Sequence, residues 1–334
     1  MAASDAFETA VLAVKAGDVA RLQQILAAAP ELLSARDAEG HTLLNLACKA
    51  ATGDVALPSV PGTPEQHQAV DFILSAGADP SAAAHDGWAP LHAAAMTGHI
   101  DLARRLLVAG ASREGRLMNV AGGSPLALAL LYGKRDVAEV LATPAAVPDN
   151  LRHAAALGRP LERFFTGSGV TAEARVGCEF YRPSSGFPEW QRTFSQQELL
   201  DEALTWSARN GRIQSLEALV SRGANVNANP YRGTALLWAT YADEREAAAW
   251  LLDHGADPDL RHDFGGSQHG KAAVAMHLAA QFSCLKVLRL LLERGARTDL
   301  EDAAFHATPR GWAEYENSTE SVAVLDEFAR SAAR

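Results

Sequence analysis

The stretch GWAPLHAAAMTGHIDLARRLLVAGA, residues 87–111, decides how the chain is read. It predicts two short helices with a tight turn between them. Pro90 suits a first helical turn, where its missing N–H costs nothing. Leu91, Ala94 and Ala95 follow at helical spacing, and Gly98 ends that helix. Ile100, Ala103, Leu106 and Leu107 make one apolar stripe on the second helix, and Gly110 stands where a left-handed cap is wanted. Neither helix is long or apolar enough to bury its stripe alone. The unit therefore requires copies of itself on either side.

The copies are present. Gly77-Ala78-Asp79 precedes Gly110-Ala111 by 33 positions, and Gly223-Ala224-Asn225, Gly255-Ala256-Asp257 and Gly295-Ala296 repeat the punctuation. An apolar pair stands before each: Ile73-Leu74, Leu106-Leu107, Leu219-Val220, Leu251-Leu252 and Leu291-Leu292. Upstream, Gly40-His41-Thr42-Leu43-Leu44 and Gly233-Thr234-Ala235-Leu236-Leu237 match Gly87-Trp88-Ala89-Pro90-Leu91. A period of 33 with this pattern resembles the ankyrin repeat, whose signature is G-x-T-P-L-H-x-A-A followed by G-A-D. One unit matches closely and about five others match in part, in register over most of the chain. The resemblance bears on fold more strongly than on function.

Composition agrees. Of 334 residues, 48 % are hydrophobic and only 7 % aromatic, so the core is one of Ala and Leu, as closely packed helix pairs require. Net charge is −10 and both halves are acidic, which argues against nucleic acid as a partner. Cys48, Cys178 and Cys284 are odd in number and far apart, pointing to a reducing compartment. Cys48 and Cys284 read as small buried thiols on first helices. The N-terminal MAASDAFETA lacks a basic segment followed by an apolar run, so no signal peptide is expected. No apolar stretch reaches the ~18 residues that span a bilayer, so the expected location is the cytoplasm. Arginine outnumbers lysine 25 to 5, a usage associated with GC-rich bacterial genomes.

Along the chain, residues 6–34 form a degenerate first repeat, as terminal repeats with a polar outer face do. Residues 37–80 carry an insertion. The offset to the 87–111 unit changes from 47 to 33, so 14 residues are extra, near TGDVALPSVPGTPEQ, which reads as a loop. Residues 119–142 continue the pattern, and 148–167 hold a worn copy whose second helix would be LERFF. Residues 167–196 have no helical period but carry Phe180, Tyr181, Arg182, Phe187 and Trp190. About 30 residues without regular structure is unusual inside a compact domain, and the aromatics predict an ordered loop on the solenoid. The repeats resume at Leu199. A longer unit follows, its extra residues in HDFGGSQHGK, and ATPRGWAEYENSTESVAVLDEFAR closes the array with Arg310 where Leu91 would be.

Little here carries chemistry. By the resemblance, His92 and His277 are the motif histidines, bonding backbone and stiffening the turn. His262, Asp263 and His269 match no metal pattern, so no metal is expected. There is no H-E-x-x-H, paired C-x-x-C, G-x-S-x-G or phosphate loop, and no cofactor is expected. Trp206 and Trp250 read as core residues, whereas Trp238 stands in the place of the motif histidine.

The fold class expected is all-α: an ankyrin-repeat solenoid of about eight or nine helix-pair units, with short hairpins or loops between them and one long central insertion. A single solenoid over 1–334 would hold N-terminal repeats in 1–166, the aromatic loop in 167–196, and C-terminal repeats with a cap in 197–334. By resemblance, hairpins and first helices line a concave groove that binds a protein partner, here with His41, Trp88, Tyr231, Thr234 and Trp238. Tyr181, Arg182 and Trp190 of the loop are further candidates, since Tyr, Trp and Arg dominate binding hot spots. The alternative is an enzyme or small-molecule binder whose loop and 262–271 hairpin bring Tyr181, Arg182, Asp263 and His269 near Trp238. Scaffolding is the favoured class, and no membrane partner is expected.

Overall fold

Short helices whose inner sides carry alanine can lie close together, and this chain is built on that approach. The computed structural model describes residues 3–52, 62–114, 123–143, 150–167, 169–176, 192–263 and 271–332. They divide into two compact units, one holding the described residues up to Thr143 and the other those from Asn150 onward.

The first unit contains α1 (Ala3–Ala16), α2 (Val19–Ala28), α3 (Leu43–Thr52), α4 (Pro64–Ser75), α5 (Pro90–Thr97), α6 (Ile100–Val108), α7 (Pro125–Leu131) and α8 (Arg135–Leu141). The first helices α1, α3, α5 and α7 pack on one another in chain order, and the second helices stack beside them. Every residue of α5 from Pro90 to Met96 is buried, because α3 and α7 cover its two flanks. Leu91, Leu102 and Leu106 sit fully inside, as the periodicity of residues 87–111 requires.

The second unit begins with α9 (Leu151–Ala156), where a 3-10 turn, Glu162–Phe164, replaces a second helix. Leu161 and Phe164, three apart, both reach the core through that one turn. The strands β1 (Phe165–Thr166) and β2 (Gly169–Val170) pair antiparallel, and a second 3-10 turn covers Ala172–Arg175. The strand pair thus stands where LERFF was expected to continue as helix, and Gly169–Val170 and Ala172–Arg175 have regular structure inside the stretch expected to have none; Phe165 and Val170 pack on the core. Then come α10 (Gln196–Arg209), α11 (Ile213–Val220), α12 (Ala235–Tyr241), α13 (Arg245–Asp253), β3 (His262–Asp263), β4 (Lys271–Ala273), α14 (Ala275–Gln281), α15 (Leu285–Glu293), α16 (Pro309–Tyr315) and α17 (Thr319–Ala332). The first helices α9, α10, α12, α14 and α16 pack in succession, over one core that runs from Leu151 to Leu325. Helices dominate both units, and the architecture is an all-α stack of repeats.

Part of the expected insertion loop is helix. Thr63 accepts the Gln66 N–H while the Gln66 side chain accepts the Thr63 N–H, a capping box that starts α4 at Pro64. The insertion's residues 53–61 lie outside the described residues. Cys48 is buried on α3, but Cys284 is buried at the turn entering α15 rather than on a first helix. Arg310 departs from the repeat pattern without harm: it faces outward, pairing with Asp326 at 2.8 Å and Glu314 at 2.5 Å.

Candidate functional site

First helices from α3 onward are entered through a turn, where the residue before the helix and the residue at N3 cap one another. Ser124, Asn150, Thr234 and Thr308 accept the N–H three residues on. Ala89 and Val274 have no side-chain oxygen, and there the N3 residue reverses the bond. The Ala89 N–H donates to His92 Nδ1 at 3.0 Å and the Val274 N–H to His277 Nδ1 at 3.1 Å. With Nδ1 accepting, Nε2 carries the proton and donates to the next turn, at Gly123 O and Ala307 O, 3.1 and 3.0 Å away. Asn45 does the same work in α3, its amide donating to Trp88 O at 3.1 Å. These residues bind repeat to repeat and are not available for chemistry.

The caps also correct the register. Thr234 caps Leu237, so Leu237, not Trp238, takes the histidine position. Conversely His153, three residues after the Asn150 cap, occupies that position unrecognised in sequence, because N-L-R-H replaces T-P-L-H. It is fully buried, and burial together with the Arg152 charge pushes its pKa well below the usual histidine value. Its Nδ1 is 2.8 Å from Asn150 Oδ1.

At the turn tips the chain doubles back in the left-handed region. Gly40 and Gly87 hold φ of 86° in the first unit. Counted from the cap two residues on, the same place in the second unit falls on Arg232, Ala272 and His306, at 64°, 59° and 50°. Matching Gly233 with Gly87 is therefore one residue out. Beside these tips Phe305 is 62 % exposed, and Lys271 and His306 are exposed too. Tyr231 is half-buried, with the Arg232 guanidinium 5.7 Å from its ring. Asp302 organises the last tip from beneath, accepting the Ala304, Phe305 and Ala307 N–H groups and the Trp312 indole N–H. Burial alone would raise its pKa, but those donors hold the carboxyl below its ordinary value.

In the first unit, Asp37 closes the turn by accepting the Glu39 and His41 N–H groups. Arg36 clamps this turn to the next, donating to Gly40 O and Ala83 O at 2.6 Å each. His41 lies between Asp37, 3.1 Å from Nδ1, and Lys49 Nζ, 2.7 Å from Nε2. An ammonium can only donate, so Nε2 accepts and His41 is neutral, its proton on Nδ1 toward Asp37. Partial burial works to raise the Asp37 pKa, but the bonds to His41 and Glu39 bring it below the usual range. Asp37, Glu39 and His41 bring potential metal-ligand atoms within 4.8 Å of one another. The Lys49 ammonium already engages the imidazole, so the arrangement suits a hydrogen-bond relay better than a cation. A cavity of about 380 Å3 opens here, lined by Glu39, His41, Lys49, His85 and Asp86. Sequence periodicity could not show it, because its residues come from two successive turns and a helix.

The remaining candidates fall as follows. Trp88 lies under Lys49, whose Nζ is 5.8 Å from the ring centroid. Thr234 is 2 % exposed and serves as a cap. Trp238 is 7 % exposed, with the Arg209 guanidinium stacked 3.7 Å from its ring centroid. Trp206 is buried, with the His153 ring edge-on at 5.3 Å and the Arg152 guanidinium 4.7 Å from its ring centroid. Trp250 is partly buried and stacks on His254 at 3.7 Å. Asp263 pairs through its backbone with Lys271. Tyr181, Arg182, Trp190 and His269 lie outside the described residues, as does Cys178. Among the described residues no helix is long and apolar enough to cross a membrane.

Comparison with known proteins gives the same repeats. The family model for ankyrin repeats in three copies matches residues 64–150 and 190–262, and that for the single ankyrin repeat matches 274–303. Ankyrin repeat domain-containing protein SAT10 of Stachybotrys chartarum is 28 % identical over 72 % of this chain and 13 % of its own length. Ankyrin repeat and SOCS box protein 16 of Mus musculus is 42 % identical over 28 % of the chain and 19 % of its own. Cyclin-dependent kinase inhibitor 2A of Monodelphis domestica is 30 % identical over 41 % of the chain and 77 % of its own. The chain thus spans a small part of the first two relatives and most of the third. With helix pairs in succession, caps and left-handed turns in register, and these matches, the chain belongs to the ankyrin repeat family.

Proposed function

We propose that this chain binds a protein partner on the face made by its hairpin turns and first helices. Ankyrin repeats generally serve as protein–protein interaction modules, and the tips of the second unit carry the specific support. Arg232, Ala272 and His306 sit where glycine fits without strain, as Gly40 and Gly87 do. A non-glycine residue there costs roughly 1–3 kcal/mol, and such strain clusters at functional sites. The tips also present Phe305 to solvent, a large apolar side chain that no core needs.

The test is a pair of substitutions at these tips. Phe305→Ser should leave stability within ~0.5 kcal/mol, as ordinary surface changes do, whereas Tyr231→Ala, at a half-buried side chain, should cost somewhat more and still leave the chain folded. Binding to a partner captured from the native organism should weaken by more than ~1 kcal/mol. Unchanged binding with both substitutions would place the interaction elsewhere.

A further inference from the structure

We infer that the cavity between the first two described turns is a receptor for a carboxylate, and that its occupant is an acidic side chain flanked by a basic one on a partner's extended segment. The inference rests on the partner-binding reading above and gives that partner its chemistry in the first unit.

Lys49 carries the argument. Its ammonium is half-buried and lines the cavity. Its contacts are the neutral His41 imidazole at 2.7 Å and the face of Trp88 at 5.8 Å. Among the described residues no carboxylate stands within ion-pairing distance of it, although Glu39 and Asp86 line the same cavity. A half-buried cation without a counter-ion favours an anion of matching size, and a charge-assisted bond to a carboxylate is the strongest contact it can make. Asp37 holds His41 in the tautomer that accepts from Lys49, so one N–H is spent inward and the remaining donors are left for a ligand.

The rim selects what surrounds the carboxylate. Glu39 and Asp86 are exposed and acidic, so a run of acidic residues would be repelled there. A lysine or arginine next to the entering carboxylate meets them with the opposite sign. The cavity, about 380 Å3, accommodates one side chain and its neighbouring backbone.

The experiment is selection of a random peptide library, displayed on phage, against the full chain and separately against Lys49→Gln. Binders of the native chain are expected to share an aspartate or glutamate next to a lysine or arginine. A synthetic peptide of that consensus should lose at least ~10-fold in affinity when its acid becomes the amide. Lys49→Gln should cause the same loss without lowering the melting temperature, and the two changes together should cost no more than either alone. Lys49→Arg should restore binding. Consensus peptides indifferent to Lys49 would overturn the inference while leaving partner binding on this face intact. Peptides that cross-link to the second helices would overturn both. If millimolar free glutamate or acetate displaces the peptide as well as the peptide displaces itself, the ligand is a small carboxylate and the partner assignment falls.

Discussion

Arg232, Ala272 and His306 repeat one backbone conformation at intervals set by the fold, and a residue-scale test follows from it. Ala272→Gly should stabilise the chain by about 1 kcal/mol, the strain relieved exceeding the unfolded-state entropy that glycine adds. Chemical denaturation measures it, and a loss of stability would show that the left-handed angle is not strained there. The converse holds at Gly40, with φ of 86°, where an added Cβ would stand 2.8 Å from the His85 backbone nitrogen. Gly40→Ala should therefore destabilise by more than ~1 kcal/mol. These tips were hard to read in sequence because glycine was the guide, and the second unit places other residues at the position. Gly233, one residue away, drew the alignment to the wrong place. The cavity residues escaped notice for a different reason. Only His41 among its lining was singled out, since the significance of Lys49 lies in what surrounds it, and composition does not show that.

At the scale of the element, a helix of seven or eight residues is held by its cap and by the bond its third residue sends to the next turn. His277 makes that bond, and burial lowers its pKa below the usual 6.5. Both states are neutral at high pH. As pH falls below about 6.5 the unfolded chain takes a proton that the folded one resists, so stability declines from there toward the depressed folded pKa. Asn45 shows that an amide at this position keeps the bond without titrating. His277→Asn should accordingly flatten the dependence of the urea midpoint between pH 7 and 5, and an unaltered slope would contradict the assignment. The ends behave differently. The Arg310–Asp326 pair is nearly half exposed on both sides and screened by solvent, so Arg310→Ala should leave the urea midpoint almost unchanged. Helix pairs were legible where glycine, proline and the apolar stripe agreed, as in residues 87–111. They were blurred in the worn copy at 148–167, where N-L-R-H replaces T-P-L-H and the second helix shrinks to the 3-10 turn at Glu162–Phe164, since periodicity needs more than one turn to register.

At the scale of the molecule, successive repeats touch one another within each unit, so damage should spread by adjacency. Leu91 is fully buried, and Leu91→Asp should cost about 3–5 kcal/mol, the range of an unpaired charge in a core. Hydrogen exchange should then show protection lost first in α5 and in α3 and α7, which pack on it. Unchanged stability would refute the repeat register. Function at this scale depends on which side of the repeats meets a partner. Hydrogen-exchange mass spectrometry of the chain with and without its captured partner measures that side directly. Added protection is expected at the turn tips around Glu39, Asp86, Tyr231 and Phe305 and along the adjoining first helices. Protection confined to the second helices α6, α11, α13 and α15, with the tips unchanged, would contradict it.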